Sequence, residues 1–311
     1  MTLTQLEYLV ALDTWRHFVL ASEKCFVTQP TLSMQIQKLE DELGVKLFDR
    51  TKQPVIPTEI GERIIAQARV VLREASLIKS LIAEQQNTMT GEIRLGIIPT
   101  LAPYLLPELV KSIREKYPQV ALIVKESITE ELLHELKNNR LDCGIVVTPL
   151  HDPAIKEDVL FYEELFVYVS KKNALHNKEY VLPSDIDPNQ LWLLEEGHCF
   201  RSQVLNLCEL RKHSDQQIRY ETGNIETLKR MVDKSDGLTI LPELAVMEFG
   251  KPQQKQVKRL KEPSPAREVS LITHRDHIKT RLIQTLKEEL IQLIPGSMRK
   301  LQNKKIVEIN Y

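Results

Sequence analysis

Cysteine offers the most reactive chemistry in this chain of 311 residues, which carries it at positions 25, 143, 199 and 208. The four are too few and too scattered for an exported disulfide framework, and none shows CxxC zinc spacing, so no metal and no cofactor is expected. The run Leu193-Leu194-Glu195-Glu196-Gly197-His198-Cys199-Phe200-Arg201 reads as an apolar strand, a glycine turn and a helix start. Cys199 then sits where backbone N–H groups and the helix dipole favour a thiolate, with an imidazole beside it, and a lowered pKa is the expectation. Cys208 follows on a helix whose Phe200, Val204 and Leu207 mark the buried face. A continuous helix rising about 1.5 Å per residue would hold the two cysteines roughly 13 Å apart. A disulfide needs Cα atoms within about 7 Å, so joining them would unwind or bend the segment. The residues alone leave two readings open: a redox switch, or two inert core thiols. Cys25 and Cys143 read as core thiols on a helix and a strand, and His213 as part of a surface loop.

The elements that must position this chemistry form an α/β region from residue 90 to 297. Apolar strands alternate with amphipathic helices: Ile93 to Ile98, Leu101 to Lys116, Val120 to Val124, Glu130 to Asn138 and Cys143 to Val147. A second set has strands near Leu165 to Val169, Leu191 to Leu194, Leu238 to Leu241 and Val269 to Thr273, with helices near Val204, Thr227 and Ile283. Two α/β lobes of parallel strands around a cleft are implied. Ligands of such sheets bind outside the carboxyl ends of the strands, which directs attention to Pro99-Thr100, Ile128-Thr129 and Gly197-His198-Cys199. The end of the chain, 298 to 311, with Arg299, Lys300, Lys304 and Lys305, reads as a basic, solvated tail.

Residues 1 to 58 have another rhythm, three short helices followed by a hairpin. Leu32, Ile36, Leu39 and Leu43 make one apolar face of the third helix, which Thr28 caps with Pro30 in the first turn. Gln29, Thr31, Ser33 and Gln35 lie near its start and Lys38 further along, groups that reach base edges and phosphates. Two prolines frame a wing with Arg50 and Lys52 at its tip. From 59 to 89 a long helix follows, in which Ile64, Ala68, Val71, Ala75, Ile78 and Ile82 step by fours and threes. That is the seam of a helix that pairs with a second copy.

Bulk properties are those of an ordinary globular protein, with 42% hydrophobic and 27% charged residues. No apolar run reaches the roughly 18 residues that span a bilayer, and the start Met1-Thr2-Leu3-Thr4-Gln5 has no export signature, which predicts a cytoplasmic protein with no membrane contact. A net charge of −1 gives no global sign of a nucleic-acid partner, so any DNA contact rests on pattern.

The stretch Phe18, Ala21, Thr28-Gln29-Pro30-Thr31-Leu32-Ser33, Gln35-Ile36, Lys38-Leu39-Glu40, Leu43-Gly44, Leu47-Phe48, Arg50, Thr58 and Gly61 resembles the helix-turn-helix of LysR-type regulators. Ile98-Pro99-Thr100, Pro103-Tyr104-Leu105-Leu106-Pro107, Leu141-Asp142-Cys143 and above all Gly197-His198-Cys199-Phe200-Arg201 resemble the peroxide-responsive branch, with Cys208 at that branch's interval. The resemblance implies a winged helix-turn-helix, a linker helix and a two-lobed regulatory domain like a periplasmic binding protein. It implies a transcription activator and not an enzyme: Cys199 attacks hydrogen peroxide, Cys208 resolves the sulfenic acid to a disulfide, and glutaredoxin or thioredoxin systems reset it. Thr100, Thr129, His198 and Arg267 match its peroxide pocket. The implied partners are promoter DNA, RNA polymerase and further copies of the chain, as a homodimer or homotetramer. One departure is that Val19 and Leu20 stand where basic residues can occur. Other readings are a LysR-type regulator of a small metabolite without redox chemistry, and a thiol peroxidase.

Overall fold

The computed structural model describes residues 1–85, 89–208, 223–275, 277 and 280–308, which form two compact units dividing between Met89 and Thr90. His213 lies outside the described residues.

In the first unit the chain runs α1 (Leu3–Trp15), α2 (Phe18–Lys24), α3 (Gln29–Leu43), β1 (Phe48–Asp49), β2 (Ile56–Pro57) and α4 (Glu59–Gln85). Local chemistry sets these limits. Thr2 and Gln5 form a capping box on α1, the Thr28 hydroxyl accepts from the Thr31 N–H, and Gly44 closes α3 in the left-handed region at φ 68°. Leu9, Leu12, Leu32, Ile36, Leu39 and Leu47 are fully buried, so the apolar face read from α3 is the core face up to Leu39, while Leu43 is partly exposed at the helix end. β1 and β2 pair antiparallel as the expected wing. Gly61 is needed for close approach, because a Cβ there would stand 2.1 Å from the Leu47 carbonyl oxygen.

The early part of α4 belongs to this unit's own core. Ile65 and Ala68 are buried in it, Ile64, Val71 and Leu72 pack against it, and Arg69 donates to the Asp13 carboxylate of α1 at 2.7 Å. Ala68, expected on an intermolecular seam, is therefore already covered. Ile78 remains 65% exposed, and the side chain of Ile82 lies outside the described ones.

The second unit comprises β3 (Gly91–Ile97), α5 (Ala102–Lys116), β4 (Val120–Glu126), α6 (Thr129–Lys137), β5 (Cys143–Thr148), β6 (Ile155–Val169), β7 (Tyr180–Val181), α7 (Cys199–Leu207), α8 (Ile225–Lys234), β8 (Leu238–Pro242), α9 (Glu243–Met247), α10 (Lys251–Gln254), β9 (Val257–Leu260), β10 (Ser264–His274), α11 (Thr280–Leu293) and β11 (Lys304–Ile306). β3 pairs in parallel with β4 and β5, whereas β10 runs antiparallel to both β5 and β6. β6 then continues into a second region, where it pairs antiparallel with β8 and β9. The sheet is thus mixed, because the long strands β6 and β10 run opposite ways through it. Each region has its own apolar core, one around Leu95, Ile145 and Leu286, the other around Val167, Val204 and Ile240.

Two expectations are corrected here. Leu191 to Leu194 is not a strand: Leu191 makes one isolated bridge to Leu238, directly after a 3-10 turn at Pro188–Gln190. The basic tail is not a solvated end either. Met298 is fully buried, Arg299 donates to the Ile291 and Ile294 carbonyls, and β11 adds in parallel to β10. Backbone pairing and carbonyl acceptors tie the charge run to the fold, although Arg299, Lys300 and Lys305 stay exposed and only Lys304 is half-buried.

Candidate redox centre and DNA-binding surface

The expected strand ends converge on one point. Thr100 follows β3, Thr129 opens α6 after β4, and Cys199 is the first residue of α7, with His198 as its N-cap. Thr100, Thr129, His198, Cys199 and Arg267 are all buried. Gly197 takes φ 92°, and a Cβ on it would lie 3.4 Å from Ile128, so the turn before Cys199 rests on the loop that carries Thr129.

Arg267 organises the floor of this site from β10. Its Nη1 donates to Thr100 Oγ1 at 2.9 Å, its Nη2 to the Thr100 carbonyl at 3.3 Å, and its Nε to Glu163 Oε2 at 2.7 Å. The guanidinium carbon stands 5.1 Å from the centre of the Phe200 ring. Glu163 and Arg267 are both 0% exposed, and the other Glu163 oxygen accepts the Leu244 N–H at 2.8 Å. Sequence reading missed Glu163. A signal existed: it alternates with Phe161, Leu165 and Val167, the inward positions of β6, where a lone carboxylate demands a cation. Gly223 was missed as well. A Cβ there would come within 2.8 Å of His198 Nε2, which otherwise faces Glu195 at 3.5 Å.

The electrostatics correct the expected lowered thiol pKa. Burial pushes the Cys199 thiol up. The Arg267 charge, the nearby Thr129 hydroxyl and the backbone N–H groups of Phe200 and Cys199 oppose that without overcoming it. Thr129 Oγ1 has no hydrogen-bond partner of full geometry among the described residues. The resting site therefore holds a protonated thiol among groups poised to accept its ionisation.

Cys208 caps the other end of α7 and belongs to the other core. Cys199 packs in the core of the first region and Cys208 in that of the second, and all four cysteines are free. With α7 intact, its rise separates the two backbone positions by about 13 Å along the helix axis. Burial pushes the Cys208 thiol up to about 12.

In the first unit Thr28, Gln29, Lys38, Arg50 and Lys52 are exposed, and Thr31, Ser33 and Gln35 partly so. Several have structural partners too. Thr28 caps α3, Gln35 Oε1 accepts from Gln5 at 3.3 Å, and Arg50 pairs with the buried Glu40 at 3.1 Å while lying over the Phe18 ring. Among the described residues no group of His, Cys, Asp and Glu could hold a metal, and no helix is long and apolar enough to cross a membrane.

Residues 3–62 match the bacterial regulatory helix-turn-helix protein of the lysR family, and residues 86–294 match the LysR substrate binding domain. The chain belongs to the LysR family. Among LysR proteins it is 38% identical over 274 residues to a hydrogen peroxide-inducible genes activator of Haemophilus influenzae, covering 88% of this chain and 90% of that one. A full-length OxyR variant from Pseudomonas aeruginosa superposes with a TM-score of 0.80 at 34% identity, over 94% of this chain and 98% of that one. A cysteine-to-serine OxyR variant from Corynebacterium glutamicum with hydrogen peroxide bound gives 0.61 at 25% identity, over 94% and 92% of the two chains. LysR-family members of this kind are DNA-binding transcription regulators, not enzymes, which removes the thiol peroxidase reading.

Proposed function

We propose that the chain is a transcription activator that responds to hydrogen peroxide through a reversible Cys199–Cys208 disulfide. What supports this reading most is the convergence of Thr100, Thr129, His198 and Arg267 on one buried thiol, with the second cysteine at the far end of the same helix. The Cys199 thiol gives up its proton and the resulting thiolate attacks one peroxide oxygen; the O–O bond breaks, the sulfur becomes a sulfenic acid, and the departing hydroxide takes up the released proton and leaves as water. Thr100, Thr129 and His198 supply hydrogen-bonding groups for the peroxide, and Arg267 the positive charge for the thiolate. The Cys208 thiolate then attacks the sulfenic sulfur and expels hydroxide, completing the disulfide. For the sulfurs to meet, α7 must unwind and Cys208 must leave the second core, which turns a local oxidation into a change of shape. A dithiol reductant of the glutaredoxin or thioredoxin class restores both thiols by exchange.

The output is DNA binding in the cytoplasm. Two copies, or four, held through α4 present paired α3 helices to successive major grooves, where the wing residues Arg50 and Lys52 meet phosphates and RNA polymerase is recruited. The test is to add about one equivalent of peroxide to reduced protein and map peptides without reduction. A Cys199–Cys208 peptide that is absent from Cys199→Ser carries the proposal; unchanged thiols would sink it and leave a metabolite-responsive LysR regulator.

A further inference from the structure

One aromatic side chain of the DNA-binding unit has no structural explanation. Phe26 is 95% exposed and its backbone sits in the left-handed region at φ 54°. It stands at the first position beyond the C-cap of α2. There the Phe26 N–H donates to the Glu23 carbonyl at 3.2 Å and the Val27 N–H to the Ser22 carbonyl at 3.0 Å. This bond pair is the helix-ending motif in which glycine or asparagine is strongly preferred, because any larger side chain crowds its own backbone. The motif is otherwise complete, down to Val27 packing against the core. A phenylalanine here gains nothing from burial and is strained where it stands. Such a residue points outward for a purpose beyond the fold.

Its position identifies what it meets. Phe26 lies two residues before Thr28, the N-cap of α3, and so beside the helix end whose Gln29, Thr31 and Ser33 enter the major groove. On α2 Val19 and Leu20 are both nearly half exposed and uncharged, and the nearby cation Lys24 lies over the Trp15 ring at 5.1 Å. An uncharged ring cannot hydrogen-bond a base edge, and the one apolar group the major groove displays is the thymine 5-methyl.

We propose that Phe26 is a specificity-determining DNA contact that reads a thymine methyl at the flank of each half-site. The proposal rests on operator binding by α3. The experiment uses the full chain and, as probe, the duplex that the wild-type protein enriches from a randomised pool, with affinity read by fluorescence anisotropy. Flanking thymines are replaced one at a time by deoxyuridine, which removes the methyl and keeps the base pair. Wild type should lose affinity at one thymine per half-site. Phe26→Gly should bind the thymine duplex about tenfold more weakly, ignore that replacement, and keep the same salt dependence, since no phosphate contact is lost. Amide exchange over residues 18–43 of Phe26→Gly should be as slow as in wild type or slower, because glycine relieves the backbone. Phe26→Asn, which also tolerates this conformation, should behave alike. Undiminished affinity in both variants, or an identical response of wild type and Phe26→Gly to every deoxyuridine, overturns the proposal; so does weaker binding accompanied by faster exchange in both, which marks a folding role. Failure of the wild-type chain to enrich any duplex overturns the operator reading itself.

Discussion

Arg267 serves two neighbours at once, and the division of its charge bears on the proposed sensing thiol, Cys199. Nε and Nη2 face Glu163, and Nη1 holds Thr100. Glu163→Gln keeps an oxygen for the Leu244 N–H but removes the negative charge that offsets the guanidinium. The pH midpoint of Cys199 alkylation should fall, while stability drops by about 3 kcal/mol because the buried Arg267 loses its counter-charge. An unmoved midpoint in iodoacetamide kinetics would show that Glu163 is only structural. Cys208 gives a linkage prediction of definite sign. Its folded pKa, about 12, lies above the ordinary thiol value of 9.0, so the protonated form is favoured by folding. The contribution is complete below pH 9 and is lost as pH rises toward 12, at up to about 1.4 kcal/mol per pH unit. Urea unfolding of reduced protein should show this extra loss, and Cys208→Ala should lack it.

At the scale of elements, α7 is held by more than its own hydrogen bonds. Gln203 donates to the Val307 carbonyl and Asn206 to the Glu308 carbonyl, each at 3.0 Å, and Lys304 of β11 donates to the Tyr162 carbonyl at 3.0 Å. The tail thus lies across the helix that the proposed disulfide would unwind. Ending the chain after Arg299 should speed disulfide formation about threefold or more, since two bonds that resist unwinding are gone, each worth about 1 kcal/mol. Stopped-flow thiol loss followed by peptide mapping checks this, and an unchanged rate would separate tail from switch. Helix starts and stops were legible in sequence because capping is local: Thr28 before Pro30, Gly44 after Leu43. The place of β11 was not, because its partner strand lies about 40 residues away and its charged residues resemble a solvated end.

For the whole molecule, self-association is argued from α4. Its periodic apolar residues divide into Ala68, with Ile64 and Val71 beside it, which serves the unit's own core, and Ile78, which is 65% exposed. Ile78→Glu should therefore weaken the dimer without unfolding the monomer, lowering the mass seen by light scattering at micromolar concentration by about half, as a buried interfacial charge predicts. An unchanged mass would place the interface elsewhere.

The sequence by itself determined the helix-turn-helix with its wing, the α/β character of the larger unit, and the cysteine, threonines, histidine and arginine of the candidate centre. The elements, the cysteine with its adjacent histidine and the strand-end threonines depend on short-range periodicity, capping and residue chemistry, which are written in neighbouring letters, whereas Arg267 came only from the resemblance to the peroxide-responsive branch. Only the tertiary structure decided that Glu163 answers Arg267, that Gly223 makes room for His198, that Cys199 and Cys208 occupy different cores, and that burial outweighs the helix start in setting the thiol. Charge pairing and desolvation depend on what the fold brings within a few ångströms, and those neighbours come from strands and loops far apart in the chain.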